Sequence, residues 1–101
     1  MKGKSINFML LAFQEAKKAY NSNEVPIGAV VVKNGLVVGT GFNQVILHQS
    51  VSKHAEINAI NAASKKLNNY RLIGCDIYVT LEPCHMCAKA IVDARLNNLY
   101  F

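Results

Sequence analysis

Four side chains in this sequence combine a reactive type with a useful spacing: His54 and Glu56 in Lys53-His54-Ala55-Glu56-Ile57, and Cys84 and Cys87 in Glu82-Pro83-Cys84-His85-Met86-Cys87. Two thiols three residues apart share one face of a helix and can clamp one metal ion. A helix N-terminus also carries partial positive charge, which favours thiolate over thiol. Two cysteines fill half of a tetrahedral zinc site, so the remaining candidates are His48, His54, His85 and the carboxylates. His85 falls between the cysteines, where helical geometry turns it from their shared face. His48 stands in a polar loop with no second chemical feature beside it. His54 and Glu56, at i and i+2, do not share a helix face. Both reach one pocket only if they stand at the end of a helix and extend past it, where a ligand and a proton-handling carboxylate are both useful.

His54-Ala55-Glu56 followed by Pro83-Cys84-x-x-Cys87 matches the H-x-E…P-C-x-x-C signature of zinc-dependent nucleobase deaminases. The sequence more closely resembles bacterial tRNA-specific adenosine deaminases. The likeness is carried by Glu24-Val25-Pro26-Ile27-Gly28-Ala29-Val30, Gly41-Phe42-Asn43, His54-Ala55-Glu56, Asn69-Tyr70-Arg71-Leu72 and Tyr78-Val79-Thr80-Leu81-Glu82-Pro83-Cys84, in order and with compatible spacing. The resemblance implies one zinc ion per chain, held by His54, Cys84 and Cys87 with a fourth position kept for water. It implies that Glu56, not a ligand, moves protons between water, purine ring and leaving amine. It places Asn43 against the target nucleoside. The implied reaction is adenosine to inosine at the wobble position of a tRNA anticodon, in a homodimer with RNA contacts from both subunits. Two other readings use the same residues: a small-molecule guanine or cytosine deaminase, and an inactive truncated remnant that keeps zinc. Pro-Cys-x-x-Cys alone also fits a structural zinc knuckle or a redox pair; a His-x-Glu at the head of the preceding helix is what favours catalysis.

The elements that must position these residues follow from periodicity and turn chemistry. Residues 5–21 read as an amphipathic helix capped by Ser5, with Ile6, Met9, Leu10, Phe13, Ala16 and Tyr20 inward and Gln14, Glu15, Lys17 and Lys18 outward. Ile27–Lys33 and Leu36–Phe42 are strands around Asn34-Gly35, a strong hairpin signal. Their apolar character on both faces predicts helices above and below. Gly39 and Gly41 mark either a bulge or a close approach by backbone or ligand. Asn43–Lys53 reads as a polar loop. The His54 helix runs to Leu67, with Ile57, Ile60, Ala63 and Leu67 as its buried stripe and Lys65-Lys66 near its negative end. Residues 75–81 form a strand, 83–94 the cysteine helix, and Leu99-Tyr100-Phe101 a last strand, making a βαβ unit. Glu82 is a candidate cap for the cysteine helix, and Cys75 a buried thiol. Lys53, Lys89 and Arg95 are assigned to solvated surface. The expected fold is α/β, a three-layer α/β/α cytidine deaminase-like arrangement with a mixed sheet.

Composition bounds the rest. The 101 residues, 51% hydrophobic and 17% charged, describe one globular domain over 1–101 rather than a disordered chain. A net charge of +5 suits a polyanionic partner such as the tRNA anticodon loop. Three cysteines, two of them spaced as ligands, fit a reducing cytoplasm better than a disulfide framework. No membrane span or signal-cleavage site is apparent. The family it resembles continues beyond Phe101 with further sheet and a C-terminal helix, so the domain is expected to lack that part.

Overall fold

The computed structural model describes residues 7–101. Helix α1 (Phe8–Asn21) leads into a hairpin of β1 (Gly28–Lys33) and β2 (Leu36–Phe42). A short helix α2 (Val45–His48) precedes α3 (Ala55–Leu67), and β3 (Cys75–Val79), α4 (His85–Asp93) and β4 (Asn98–Tyr100) complete the order. The four strands form one mixed sheet in the order β2-β1-β3-β4. The strand β1 lies antiparallel to both β2 and β3, while β4 joins β3 in parallel after the α4 crossover. Asn34 and Gly35 both take positive φ, 52° and 78°, as the hairpin turn requires.

Alternating residues of β1 divide the core between two faces. Val30 and Val32 pack with Ala12, Phe8, Met9 and Leu11 of α1. Ala29 and Val31 pack with Ala55, Ala59, Ile60 and Ala63 of α3 and with Ile91 and Ala94 beside them. Helices therefore cover both faces, as the apolar runs predict. Among the described residues no helix is long and apolar enough to cross a membrane.

Three expectations change. The buried face of α1 is Ala12, Glu15, Ala16 and Ala19, whereas Leu10, Phe13 and Tyr20 are exposed. The reason is separation: a Cβ on Gly28 of β1 would collide with the backbone of Ala12 and Ala16. A helix held that close selects alanine, so the large apolar residues mark the wrong side. The cap of α1 is Asn7, whose side chain accepts the Leu10 N–H at 3.0 Å; Ser5 and Ile6 lie outside the described residues. The segment 43–53, read as loop, contains α2.

Both readings of Gly39 and Gly41 apply. The β1–β2 register shifts between Val31 and Val32, leaving Val38 as the extra residue of a bulge. A Cβ on Gly39 would also stand 2.5 Å from the Ala59 carbonyl oxygen, and one on Gly41 would collide with the Ala55 carbonyl and lie 2.5 Å from Ala59 N. The helix α3 thus rests directly on β2 backbone, and Gly41 opposes its first turn. Gly41→Ala should lower stability by about 1–3 kcal/mol, measured by urea denaturation, because the atoms in the way are backbone and cannot rotate aside.

Candidate metal centre

His54 is the N-cap of α3 and Cys84 the N-cap of α4, both with extended backbone. An N-cap side chain normally turns back to accept an N–H of its own helix. Neither does so here. They turn instead toward one point, joined by Cys87 from the first turn of α4. The Sγ atoms of Cys84 and Cys87 lie 3.6 and 3.5 Å from Nδ1 of His54. All three donor atoms fall within 4.8 Å of one another. Bonds of about 2.05 Å to nitrogen and 2.3 Å to sulfur, opened to the tetrahedral angle, separate their ends by about 3.6 Å. The two nitrogen–sulfur separations therefore match those of one bound zinc ion. His85 is exposed and outside this set, as its place between the cysteines predicts.

The capping that His54 gives up is supplied by Asn43. Its Oδ1 accepts the Ala55 N–H at 2.8 Å, and its own N–H donates to the Ile27 carbonyl at 3.2 Å. The Asn43 side chain is buried, at the end of β2 beside the metal ligands. Expected from resemblance as a substrate contact, it is in the structure first a cap that fixes the start of α3.

Glu56 stands in the first turn of α3 and is only 4% exposed. Its charge, like that of Cys84, raises the pKa of Cys87, and burial raises it most, well above the ordinary thiol range. At Cys87, burial and the negative charges of Glu56 and Cys84 therefore oppose the field of the helix terminus. A divalent cation supplies the missing positive charge and deprotonates such thiols on binding.

Three further polar contacts of the surrounding fold carry weaker sequence signals. Asn58 Nδ2 donates to the Phe42 carbonyl at 2.8 Å and lies 3.4 Å from that of Lys53, tying the two ends of the 43–53 segment. Thr80 exchanges two bonds with Gly28, its N–H donating to the carbonyl at 3.1 Å and its Oγ1 accepting the N–H at 3.1 Å. The Glu24 carboxylate accepts from Ile46 and Leu47. Only a polar residue on an otherwise apolar face could have pointed to Asn58. Glu82 does not cap α4, which begins at His85, and is exposed. Lys89 pairs with Asp93 at 2.7 Å on the surface, and Cys75 is a fully buried thiol, both as read.

Cys87→Ala should reduce bound zinc from one per chain to none, read by metal analysis, because two ligands cannot hold the ion at its ordinary affinity. Asn43→Ala should retain zinc yet lower stability by about 0.5–2 kcal/mol in chemical denaturation, through loss of the cap.

Comparison with known proteins agrees with this geometry. The family model described as the cytidine and deoxycytidylate deaminase zinc-binding region matches residues 2–101. The chain is 43% identical over 94 residues to the tRNA-specific adenosine deaminase of Aquifex aeolicus, covering 93% of this chain and 62% of that protein. It is 46% identical to the one from Bacillus subtilis, over 93% of this chain and 58% of that protein. The chain thus spans about three-fifths of the length of these curated relatives. A solved structure from a study of A-to-I editing by tRNA:A34 deaminases at the wobble position superposes with a TM-score of 0.90 at 49% identity, covering 92% of this chain and 72% of that one. Guanine deaminase from Bacillus subtilis superposes equally well, TM-score 0.90, at 36% identity over 94% of this chain and 63% of that one. With its three ligands converging in space and the match running through Phe101, the chain belongs to the cytidine and deoxycytidylate deaminase zinc-binding family.

Proposed function

We propose that this chain carries the active site of a tRNA-specific adenosine deaminase, which converts the wobble adenosine of an anticodon to inosine and releases ammonia. The observation that carries the reaction class is the placement of buried Glu56 against a His54-Cys84-Cys87 set that leaves one tetrahedral position open. A structural zinc site fills all four positions with protein and has no use for a buried carboxylate beside it. The substrate assignment rests on the 43–46% identity to the relatives named above and on the chain's net charge of +5, which suits an RNA backbone.

When bound, zinc supplies Lewis acidity that makes hydroxide available near neutral pH. Glu56 accepts the proton released from water and delivers it to the purine ring nitrogen nearest the reacting carbon. It then takes the second proton, from the hydroxyl added at that carbon, and passes it to the amine as the C–O bond becomes a carbonyl and the C–N bond breaks, so that water and adenosine yield inosine and ammonia. Burial of Glu56 shields this transfer from bulk solvent. Asn43, anchored by its oxygen to Ala55, has its amide nitrogen as the group that would meet the nucleoside. The base must be flipped out of an unpaired loop to reach the pocket. Pairing of two chains is part of the same proposal: exposed Leu81, Met86 and Val92 put apolar surface on and beside α4. On the likeness to the bacterial enzymes, this reading takes the reaction to be cytoplasmic.

The superposition on guanine deaminase favours a second reading, a free-base deaminase with the same proton chemistry. The two separate in one experiment: zinc-loaded chain is incubated with an anticodon stem-loop bearing wobble adenosine, and in parallel with guanine. Inosine formation supports the RNA reading, and ammonia from guanine alone replaces it. Glu56→Ala should keep one zinc per chain while the deamination rate falls by about 10²–10⁴-fold. Full turnover in that variant would remove Glu56 from the proton path.

A further inference from the structure

The outer edge of the sheet carries a cleft that none of His54, Glu56, Cys84 and Cys87 lines. Strand β2 is an end strand, and α1 and α3 cover opposite faces of the sheet beside it. The space between their flanks encloses about 700 Å³, with Thr40, Gly41 and Phe42 of β2 along one wall. On α3 the lining residues Asn58, Asn61, Ala62 and Lys65 recur at i, i+3, i+4 and i+7, a single stripe of the helix.

The charge in this cleft is one-sided. Lys18, Lys53 and Lys65 line it, and the one carboxylate there, Glu15, is taken up by Lys18 at 2.7 Å. Among the described residues neither Lys53 nor Lys65 is in an ion pair. Lys53, read from sequence as solvated surface, is half-buried. A partly desolvated ammonium without a counter-charge is costly, and a bound anion removes that cost. The walls also include the neighbours of two site residues: Phe42 and Gln44 flank Asn43, and Lys53 precedes His54.

Shape selects among anions. Lys53 stands just before α3 and Lys65 in its last turn, so at 1.5 Å per residue they lie about 18 Å apart along the axis. That is more than one phosphate group needs and gives room for several of one strand, each advancing roughly 3.4 Å when stacked. An acidic peptide added to β2 as a further strand fits less well. The Phe42 carbonyl faces away from β1, because Gly28 opposite exchanges both its bonds with Thr80. It is already taken by Asn58 Nδ2 at 2.8 Å, which interrupts the ladder that an incoming strand needs.

We propose that this cleft binds consecutive phosphates of the substrate RNA, next to the nucleotide whose base enters the metal pocket, with Lys53 and Lys65 as phosphate contacts. Such contacts position the strand and carry no sequence information of their own.

This inference rests on the RNA reading of the site. Its test is the affinity of zinc-loaded chain for a labelled anticodon stem-loop, followed by fluorescence anisotropy at several salt concentrations. Lys53→Gln and Lys65→Gln are compared with Lys66→Gln, which removes the same charge from α3 at an exposed position outside the cleft. Each cleft variant should flatten the slope of log affinity against log salt by about 0.7–0.9, and so raise Kd at about 0.1 M salt roughly five- to eightfold. Zinc should stay at one per chain, and Lys66→Gln should move Kd by less than about twofold. Equal losses from all three substitutions mark a diffuse basic surface and overturn the proposal, as do cleft variants that bind like the native chain. Inosine formation by the native chain then leaves the RNA reading intact. Cleft-dependent binding without inosine formation keeps the cleft and sinks the substrate reading. A native chain that ignores the stem-loop and releases ammonia from guanine sinks both. A poly-glutamate peptide run in parallel should bind more weakly than the RNA; tighter binding, lost with the same lysines, assigns the cleft to an acidic protein segment and overturns the proposal.

Discussion

The interaction on which the site depends is the contact of α3 with the bare backbone of β2. Gly39 and Gly41 supply no Cβ, and Ala55, Ala59 and Ala63 answer from the helix with the smallest side chain that still favours helix. Close approach sets the height of α3 above the sheet and hence where its N-terminus, His54, projects. The same device recurs on the opposite face, where α1 presents Ala12 and Ala16 to Gly28. Helices of larger side chains would stand farther off, and the N-termini of α3 and α4 would then not converge to a distance that one small ion spans.

The charge arrangement is the second constraint. Glu15, Glu24, Asn43 and Glu56 are the buried polar or charged residues among those described, and three of them have partners of plain geometry. Glu15 meets Lys18 at 2.7 Å, Glu24 takes two amides and Asn43 takes one. Glu56 differs: its negative charge faces a thiol that is itself disfavoured as an anion. Two incipient anions side by side are a liability for a structural core and an asset around a divalent cation. A divalent cation between these ligands would offset that cost.

Much of this was readable from residue types. The hairpin followed from Asn34-Gly35, the sandwiching of β1 from its unbroken apolar run, and the ligands from spacing together with the resemblance of the surrounding motifs. What was not readable depended on distance. The inward face of α1 could not be chosen by size, because proximity to Gly28 reversed the usual preference and sent Leu10, Phe13 and Tyr20 outward. The capping of α3 by Asn43 and of α2 by Glu24 joins residues far apart in sequence, and no local signal encodes a partner that lies across a turn of the fold. The burial of Cys87 and the carboxylate that α3 places against it, which oppose the field of the α4 terminus, were likewise not legible from the spacing of the cysteines.

The crossing of two helix caps has a consequence for how the chain is held together. His54 belongs to the element that follows the hairpin, whereas Cys84 and Cys87 belong to the βαβ half, with β3 between them in sequence. A metal ion bonded to His54 and Cys84 ties positions 30 residues apart, and so acts as a removable cross-link. By the loop-closure relation used for covalent bridges, a tie of that span withdraws about 3.6 kcal/mol of conformational freedom from any unfolded chain that keeps the ion bound. An ion held by these three side chains is then also a topological clasp, securing the α3 and α4 ends of the fold to one another.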